Sequence, residues 1–476
     1  MATAAVALKS LAGELTGALL LPGDPDFVTC RLPFVSRPDE VLPRAVVRCA
    51  TTADVATALT FARAHRIPIA VRSGGNSFAD RSSTDGLLVD LGGLRSMRMD
   101  GDLMVAGPGV RIRDVRRRLN PGDRAISCGW CPEVALGGAV LGGGYGSLSR
   151  LYGLGCDHLV AAEVVLADGR TLWCDTDREP DLFWALRGAG GGLTGAVTSF
   201  VLATRPAVPA TFVECRWPIR HAARVIGAWQ RFAPEAPDEI NIETVLVSAH
   251  GEEPMVAVYG VSAAGTAFLD RLGPDPDHVE IRELPGPAAA LVSYPDVPED
   301  IDVSGPSWGI RPGLRLARSE FFDGELPEAA IESLVDYLVA RPVVDQSRIL
   351  EFIPWGGAIA RMAPDATAFV HRRARFILKH AAWVMRRASD ELRRDARRWV
   401  DGSWEISHPW GSGLIYPNYP EPTRAPLDPA YHGTNLARLR RVLARYDPDG
   451  TFAADHRRTG SPRPADLLGR GLPDGC

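Results

Sequence analysis

No hydrophobic run in this chain approaches the ~20 residues that a membrane-spanning helix needs. No charge sign dominates either: 53 basic and 58 acidic residues are interspersed and leave a formal net charge of −5, so nothing in the overall balance points to nucleic acid. The opening stretch, MATAAVALKSLAGELTGALLLPGD, lacks a charged n-region and carries Glu14 within its apolar part. It reads as an amphipathic helix rather than a signal peptide. Eight cysteines are scattered through 476 residues, which is no disulfide framework, and a reducing cytoplasm is the expected setting. Cys128 and Cys131 form the only C-x-x-C, so no zinc site is expected, and no metal at all. A Walker loop, G-x-x-x-x-G-K-[ST], is missing, as are internal repeats and low-complexity tracts. Lysine and asparagine are scarce beside Ala, Arg, Gly and Pro, which is read as a genomic bias rather than a function.

What is present is a chain with 46% hydrophobic residues, long enough for a large core and for two domains. AVVRCA, TTADVATALTFARAHR and IPIAV predict strand, helix, strand over residues 44–70. DGLLVDLGGL and LMVAGPGV predict short strands, and IRDVRRRL a short helix. LVAAEVVLADGRTLWCD predicts a hairpin turning at Asp168-Gly169. DREPDLFWALRG predicts a helix stopped by Gly188, and AVTSFVLATRP a strand closed by Pro206. The character then changes, and a boundary is placed near 206. The expected layout is a cofactor domain over 1–206 (core about 40–206), a substrate domain over 207–425, and a segment over 426–476 returning to the first domain. Residues 372–400 are expected to form one long arginine-rich helix with a solvated face, and YDPDGTF (446–452) a tight turn.

Glycine comes in three clusters: Gly74-Gly75 in RSGGNS, GGAVLGGGYG (137–146) and RGAGGGLTG (187–195). The last holds a formal G-x-G-x-x-G, but after a helix and before a strand, the reverse of a dinucleotide fingerprint. Residues without a Cβ let the backbone approach a ligand, and consecutive N–H groups converge on an anion. One such cluster reads equally well as tight packing; three within the first 200 residues favour a large phosphate-bearing cofactor. Cys131, followed by Pro132 and the second cluster, is the more interesting half of the C-x-x-C. Spacing alone favours a buried inert cysteine over a thiolate that attacks an electrophilic ring.

Taken in order, AVVRCATTADVATALTFARAHRIPIAVRSGGNS, GWCPEVALGGAVLGGGYGSLSRLYGLGCDHLVAAEVVLADGR, DLFWALRGAGGGLTGAVTSF and YPNYP…YHGTNLARLRRVLARYDPDGTF resemble the berberine bridge enzyme-like flavin oxidases. These have the p-cresol methylhydroxylase/vanillyl-alcohol oxidase (PCMH/VAO) type of FAD fold. The resemblance implies an α+β, two-domain flavoprotein, with an FAD domain of two α/β subdomains and a substrate domain whose antiparallel sheet is covered by helices. It places Arg72, Ser73, Gly74, Gly75, Asn76 and Ser77 around the FAD pyrophosphate, and Cys131 at the residue bonded to flavin C6 in many members. Pro132, Val134, Gly137, Gly138, Gly142, Gly143, Gly144 and Tyr145 match a second cofactor-lining segment, with Val197 also at the cofactor. Tyr416, Asn418 and Tyr419 match the Y-x-N-Y strand beside the flavin ring.

Three departures stand out against this pattern. The family's R-S-G-G-H-S supplies a histidine that bonds the flavin 8α-methyl; Asn76 replaces it, and an amide nitrogen is no nucleophile. C-P-T becomes Cys131-Pro132-Glu133, and G-N-F-G becomes Gly192-Leu193-Thr194-Gly195. The cofactor expected is therefore FAD held through Cys131 alone or without a covalent bond. The function expected is oxidation of a secondary-metabolite substrate, with Tyr416 as base, Tyr145 positioning substrate or sharing the proton, hydride passing to flavin N5 and O2 as acceptor. The alternative is a redox-neutral cyclase that keeps FAD as a structural element. Partners are a small natural product and O2, with neither nucleic acid nor membrane.

Overall fold

The computed structural model describes residues 8, 10–33, 41–119, 122–284, 286, 313–385 and 388–452. Strands β1 (Ala18–Leu20), β2 (Ala45–Arg48), β3 (Ile69–Arg72) and β4 (Leu87–Asp90) form a sheet in the order β1-β2-β4-β3. β4 runs parallel to β2 and β3, so the chain must cross over between β2 and β3, and helix α1 (Thr52–Ala64) does so. A capping box starts that helix: Thr51 Oγ1 accepts from the Asp54 amide, and Asp54 accepts from the Thr51 amide. The Asp54 carboxylate also accepts from the amides of Thr16, Gly17 and Ala50, tying the N-terminal strand to the helix. Of the expected opening helix, residues 10–14 are helical and residues 1–7 lie outside the described residues.

A second sheet is antiparallel throughout. It comprises β5 (Met97–Asp100), β6 (Leu103–Ala106), β8 (Leu159–Val165), β9 (Thr171–Cys174) and β10 (Ala196–Ala203), in the order β5-β6-β10-β8-β9. The β8–β9 hairpin turns where expected, with Gly169 at φ +85°. Strand β10 ends at Ala203 rather than at Pro206. Pro206 belongs to β11 (Arg205–Pro206), which pairs only with β7 (Arg124–Ala125), an edge where a residue without N–H is tolerated. Helices α2 (Ile112–Leu119), α3 (Leu136–Leu141) and α4 (Pro180–Leu186) share one apolar cluster with this sheet.

The third sheet has seven antiparallel strands: β12 (Ala210–Pro218), β13 (Ile240–Ala249), β14 (Met255–Ser262), β15 (His278–Leu284), β16 (Gly313–Phe322), β17 (Gln346–Pro354) and β18 (Phe376–Met385). Their order is β15-β12-β14-β13-β17-β18-β16. Helices α5 (Ala222–Phe232), α6 (Glu328–Val339) and α7 (Asp390–Ser407) cover one face, where Val213, Leu246, Val258, Leu350 and Leu378 pack with Ile226, Trp229, Leu334 and Trp399. Side chains alternate along a strand, so the other face takes Glu243, Tyr259, Glu351 and Lys379.

The single helix expected over 372–400 is a strand and a separate helix. FILKHAAWVM alternates, with Leu378, His380, Ala382 and Val384 buried and Lys379, Ala381 and Trp383 half-buried, and it pairs on both sides with β16 and β17. The helix starts only at its Ser389 cap, with Asp390 and Glu391 in the first turn. The last helix, α8 (Leu436–Tyr446), returns to the cluster of the second sheet, and the turn after it is closed by Asp447 accepting from the Thr451 and Phe452 amides. The rest of the expected returning segment, 453–476, lies outside the described residues. Among the described residues, no helix is long and apolar enough to cross a membrane.

Candidate active site

The loop Ser73–Ser77 leaves the carboxyl end of β3, the end at which parallel sheets hold ligands. Gly75, at φ +70°, makes its turn. No described residue accepts a hydrogen bond from the amides of residues 74–77. Consecutive open amides can converge on an anion, which is how a diphosphate is held. The second glycine segment closes on this loop. A Cβ on Gly137 would fall 2.2 Å from Ser73 Oγ, and one on Gly74 2.9 Å from the Ala135 nitrogen. The third cluster reaches the second, since a Cβ on Gly191 would lie 3.5 Å from Gly138 Cα. Three clusters distant in sequence thus lie against one another, and at Gly74 and Gly137 only glycine permits the approach.

Arg72 does not point into this surface. Its guanidinium donates to Ser82 O, Cys30 O, Arg31 O and Ser83 Oγ at 2.9–3.0 Å, so it braces the loop from behind. Ser77 Oγ accepts from the Arg81 amide, and Asn76 Nδ2 donates to Gly74 O at 3.0 Å and Glu133 O at 3.4 Å. Val197 sits in β10, in the apolar cluster that holds Leu136, Val140 and Leu193, beneath the glycine surface.

Cys131 is free and half-exposed. Its segment is fixed by backbone bonds, with Pro132 O accepting from the Arg113 amide and Val134 O from the Ile112 amide. Further along, a Cβ on Gly142 would lie 2.0 Å from Asn418 Oδ1, and one on Gly143 (φ +124°) 2.9 Å from the Tyr416 ring. Gly144, at φ +77°, packs on Gly155. Asn418 Nδ2 donates to Ala139 O at 2.9 Å, and the Tyr145 amide donates to the Tyr416 hydroxyl at 3.0 Å. Tyr416 meets the Tyr419 ring edge-on at 5.0 Å. The YPNY segment is therefore the lid of the glycine surface. Burial pushes the Tyr416 phenol up to about 12, against the donors that favour its anion. It keeps its proton, receives two hydrogen bonds and has its own O–H left to donate. Tyr145 donates its hydroxyl to Asn241 Oδ1 at 2.8 Å, and burial together with the nearby Glu243 raises its pKa further.

The helix-free face of the seven-stranded sheet completes the site. Glu243 and Tyr259 are register partners, and the Tyr259 hydroxyl donates to Glu243 Oε2 at 2.8 Å, with Glu351 Oε1 at 3.3 Å. Glu351 and Lys379 are register partners and an ion pair, and Lys379 Nζ lies 4.9 Å from the Tyr419 ring centre. Trp130, next to Cys131, packs edge-on to Tyr259 at 6.0 Å, so this face meets the cysteine segment. Glu243 is 1% exposed, and its Oε1 has no hydrogen-bond partner among the described residues. Burial raises its carboxyl to about 7, although Tyr259, Lys379, Tyr145 and Trp130 favour the charge; burial lowers the Lys379 ammonium, against Cys131 and Glu243.

Asn241, Glu243, Tyr259, Glu351 and Lys379 were not among the residues singled out from sequence. One signal was available. Lys9 and Lys379 are the only lysines among 53 basic residues. Where arginine fills nearly every cationic position, a lysine inside an apolar strand stands out as a cation whose pKa burial can lower into the working range.

The comparisons agree with this geometry. Residues 43–175 match the FAD binding domain family and residues 415–456 the berberine and berberine-like family. The FAD-linked oxidoreductase YgaK of Bacillus subtilis is 29% identical, covering 92% of this chain and 96% of its own. A chitooligosaccharide oxidase of Gibberella zeae is also 29% identical, over 89% of this chain and 87% of its own. Among solved structures, glucooligosaccharide oxidase from Acremonium strictum, which carries a 6-S-cysteinyl, 8α-N1-histidyl FAD, aligns with a TM-score of 0.81 at 21% identity over 94% of this chain and 98% of that one. The first family match contains the open amides and Cys131, and the second contains the Tyr416–Tyr419 lid. The chain is thus an FAD-linked oxidoreductase with a two-domain α+β fold, and in its FAD binding domain, its berberine-like segment and its fold it is similar to the berberine bridge enzyme-like flavoproteins.

Proposed function

We propose that the protein oxidises a small organic molecule of secondary metabolism, held between the glycine-lined surface and the Glu243–Lys379 face of the sheet, with O2 as final acceptor. FAD, when bound, supplies the two-electron chemistry. The chain's residues divide the remaining work. The amides of residues 74–77 hold the diphosphate, and Arg72 stiffens their loop from outside. Cys131 Sγ is the tether of this site, and Asn76 contributes hydrogen bonds but no second bond. Tyr416 orients the substrate by donating its O–H rather than by removing a proton. Glu243 accepts the substrate's proton at Oε1, and Lys379 balances the charge as it changes. Tyr145, fixed by Asn241, stands between the glycine segment and Glu243.

The observation that carries this reading is the meeting of the Cys131 segment, through Trp130 and Tyr259, with the buried Glu243 carboxyl, whose Oε1 has no hydrogen-bond partner among the described residues and whose pKa burial raises. A general base serves best when its pKa is close to the working pH. The test is anaerobic mixing of the yellow holoprotein with a panel of oligosaccharides and phenolic alcohols, followed by readmission of air. One class is expected to bleach the flavin and then yield one equivalent of hydrogen peroxide. Cys131→Ala should release in acid a flavin that the parent retains. Folded protein that takes up no FAD, or flavin that no panel member bleaches, would remove the proposal.

A further inference from the structure

Two of the departures from the family pattern, Asn76 and Glu133, meet in space. The Glu133 carboxylate is buried between two guanidinium groups: Arg111 Nη1 donates to Oε2 at 2.6 Å, and Arg113 Nη1 donates to Oε1. Arg111 Nη1 also donates to the Glu133 carbonyl at 2.9 Å, and Asn76 Nδ2 reaches the same oxygen at 3.4 Å. The flanking backbone is fixed by the Ile112 amide on Val134 O, the Arg113 amide on Pro132 O and the Leu136 amide on Val110 O. Arg116 Nη2 holds Trp130 O at 2.7 Å. The whole stretch 130–136, with Cys131 in it, is thereby fastened along the start of α2. A lone buried carboxylate there would be costly; two arginines make it affordable and give it a rigid, charge-assisted geometry.

We propose that Glu133 is a positioning residue for the cofactor. Clamped by Arg111 and Arg113, it fixes the Cys131 segment and presents a carbonyl to Asn76, so the two flavin-lining loops keep their spacing without a histidyl bond. The inference rests on the FAD reading given above and concerns how this chain grips the cofactor, not what it oxidises. A residue that only supported the fold would weaken the flavin-free protein as much as the holoprotein; a positioning residue acts on the grip itself.

The experiment is a double-mutant cycle in the Cys131→Ala background, where no sulfur bond can mask affinity. FAD affinity is read from the fluorescence recovered on diluting full-length holoprotein, with the melting temperature of the flavin-free chain measured in parallel. Glu133→Ala and Asn76→Ala are each expected to weaken FAD binding about tenfold, the scale of one charge-assisted hydrogen bond. The double variant should bind no more weakly than Glu133→Ala alone, because the carbonyl that Asn76 grips has already lost its fixed place. Glu133→Gln, whose single amide oxygen can still accept from one arginine while its NH2 cannot accept from the other, should recover only part of the affinity. Flavin-free melting temperatures should stay within about 2 °C of the parent. Losses that multiply in the double variant, or a Glu133→Ala variant with parental affinity, overturn the inference. A Cys131→Ala parent that takes up no FAD brings down the flavin reading itself, and the inference with it.

Discussion

Glu243 and Tyr416 are both buried, and burial moves both toward the protonated form, but by amounts with different consequences. A phenol near 12 stays protonated across any working range. A carboxyl near 7 exchanges its proton within it. Tyr416→Phe is therefore expected to weaken substrate orientation while leaving the shape of the pH profile of anaerobic flavin reduction unchanged. Glu243→Gln should remove the limb near pH 7 and slow reduction by about 10²–10⁴, the usual worth of a general base. Stopped-flow reduction across pH 5–9 checks both; a limb near 7 that survives Glu243→Gln assigns the proton to another group. At this scale the sequence was legible where chemistry and backbone shape coincide. Asn76 and the glycines sit in short runs whose residue types suggest a close approach to an anion, whereas the spacing around Cys131 by itself favours a buried, inert cysteine. Glu243, Glu351 and Lys379 carry no such run. They meet because three strands pair in one register, and no local pattern writes that register down.

Single elements show the same divide. The strand–helix–strand unit from β2 to β3 was readable because its signals are local: a Thr-x-x-Asp cap, an apolar stripe and a closing strand. The Asp54 carboxylate adds something the stripe does not show, since it collects amides from residues 16, 17, 50 and 51. Asp54→Ala leaves those donors unpaired and should cost about 2 kcal/mol or more in urea-unfolding stability, with the amides of residues 16–20 losing hydrogen-exchange protection first. Protection unchanged in β1 would show that the carboxylate is not what holds it. Strand β18 was misread for the converse reason. The arginines flanking FILKHAAWVM suggested one continuous solvated helix, whereas the ten residues between them alternate and are held by neighbours that begin or end far away in sequence. An α-period drawn from flanking charges yields to a two-residue period imposed by pairing on both sides.

Across the molecule, four histidines are buried in unrelated places: His158, His371, His380 and His432. Burial lowers each from 6.5, to about 4, 3, 3 and 4 respectively. Between those values and 6.5 the unfolded chain binds more protons than the folded one. Their contribution is therefore fully present above pH 6.5 and is lost as the pH falls toward 3–4. The loss is on the order of 1–2 kcal/mol per histidine by pH 5. Glu243 works in the opposite direction. Its raised carboxyl makes the unfolded state the better acid between 4.5 and about 7, which partly offsets the histidines. The urea midpoint is expected to fall steadily below pH 6.5; a midpoint constant from pH 7 to pH 4 would contradict the burial of four neutral rings.

The lid over the glycine surface comes from far down the chain, for the contact between Asn418 and Ala139 spans 279 positions. During synthesis, the glycine-rich stretches emerge from the ribosome long before the side chain that fills the gap left at Gly142. Until then the groove has a floor but no roof. A nascent protein halted before residue 418 would therefore hold this surface open, with only Cys131 to retain a flavin on the reading proposed above.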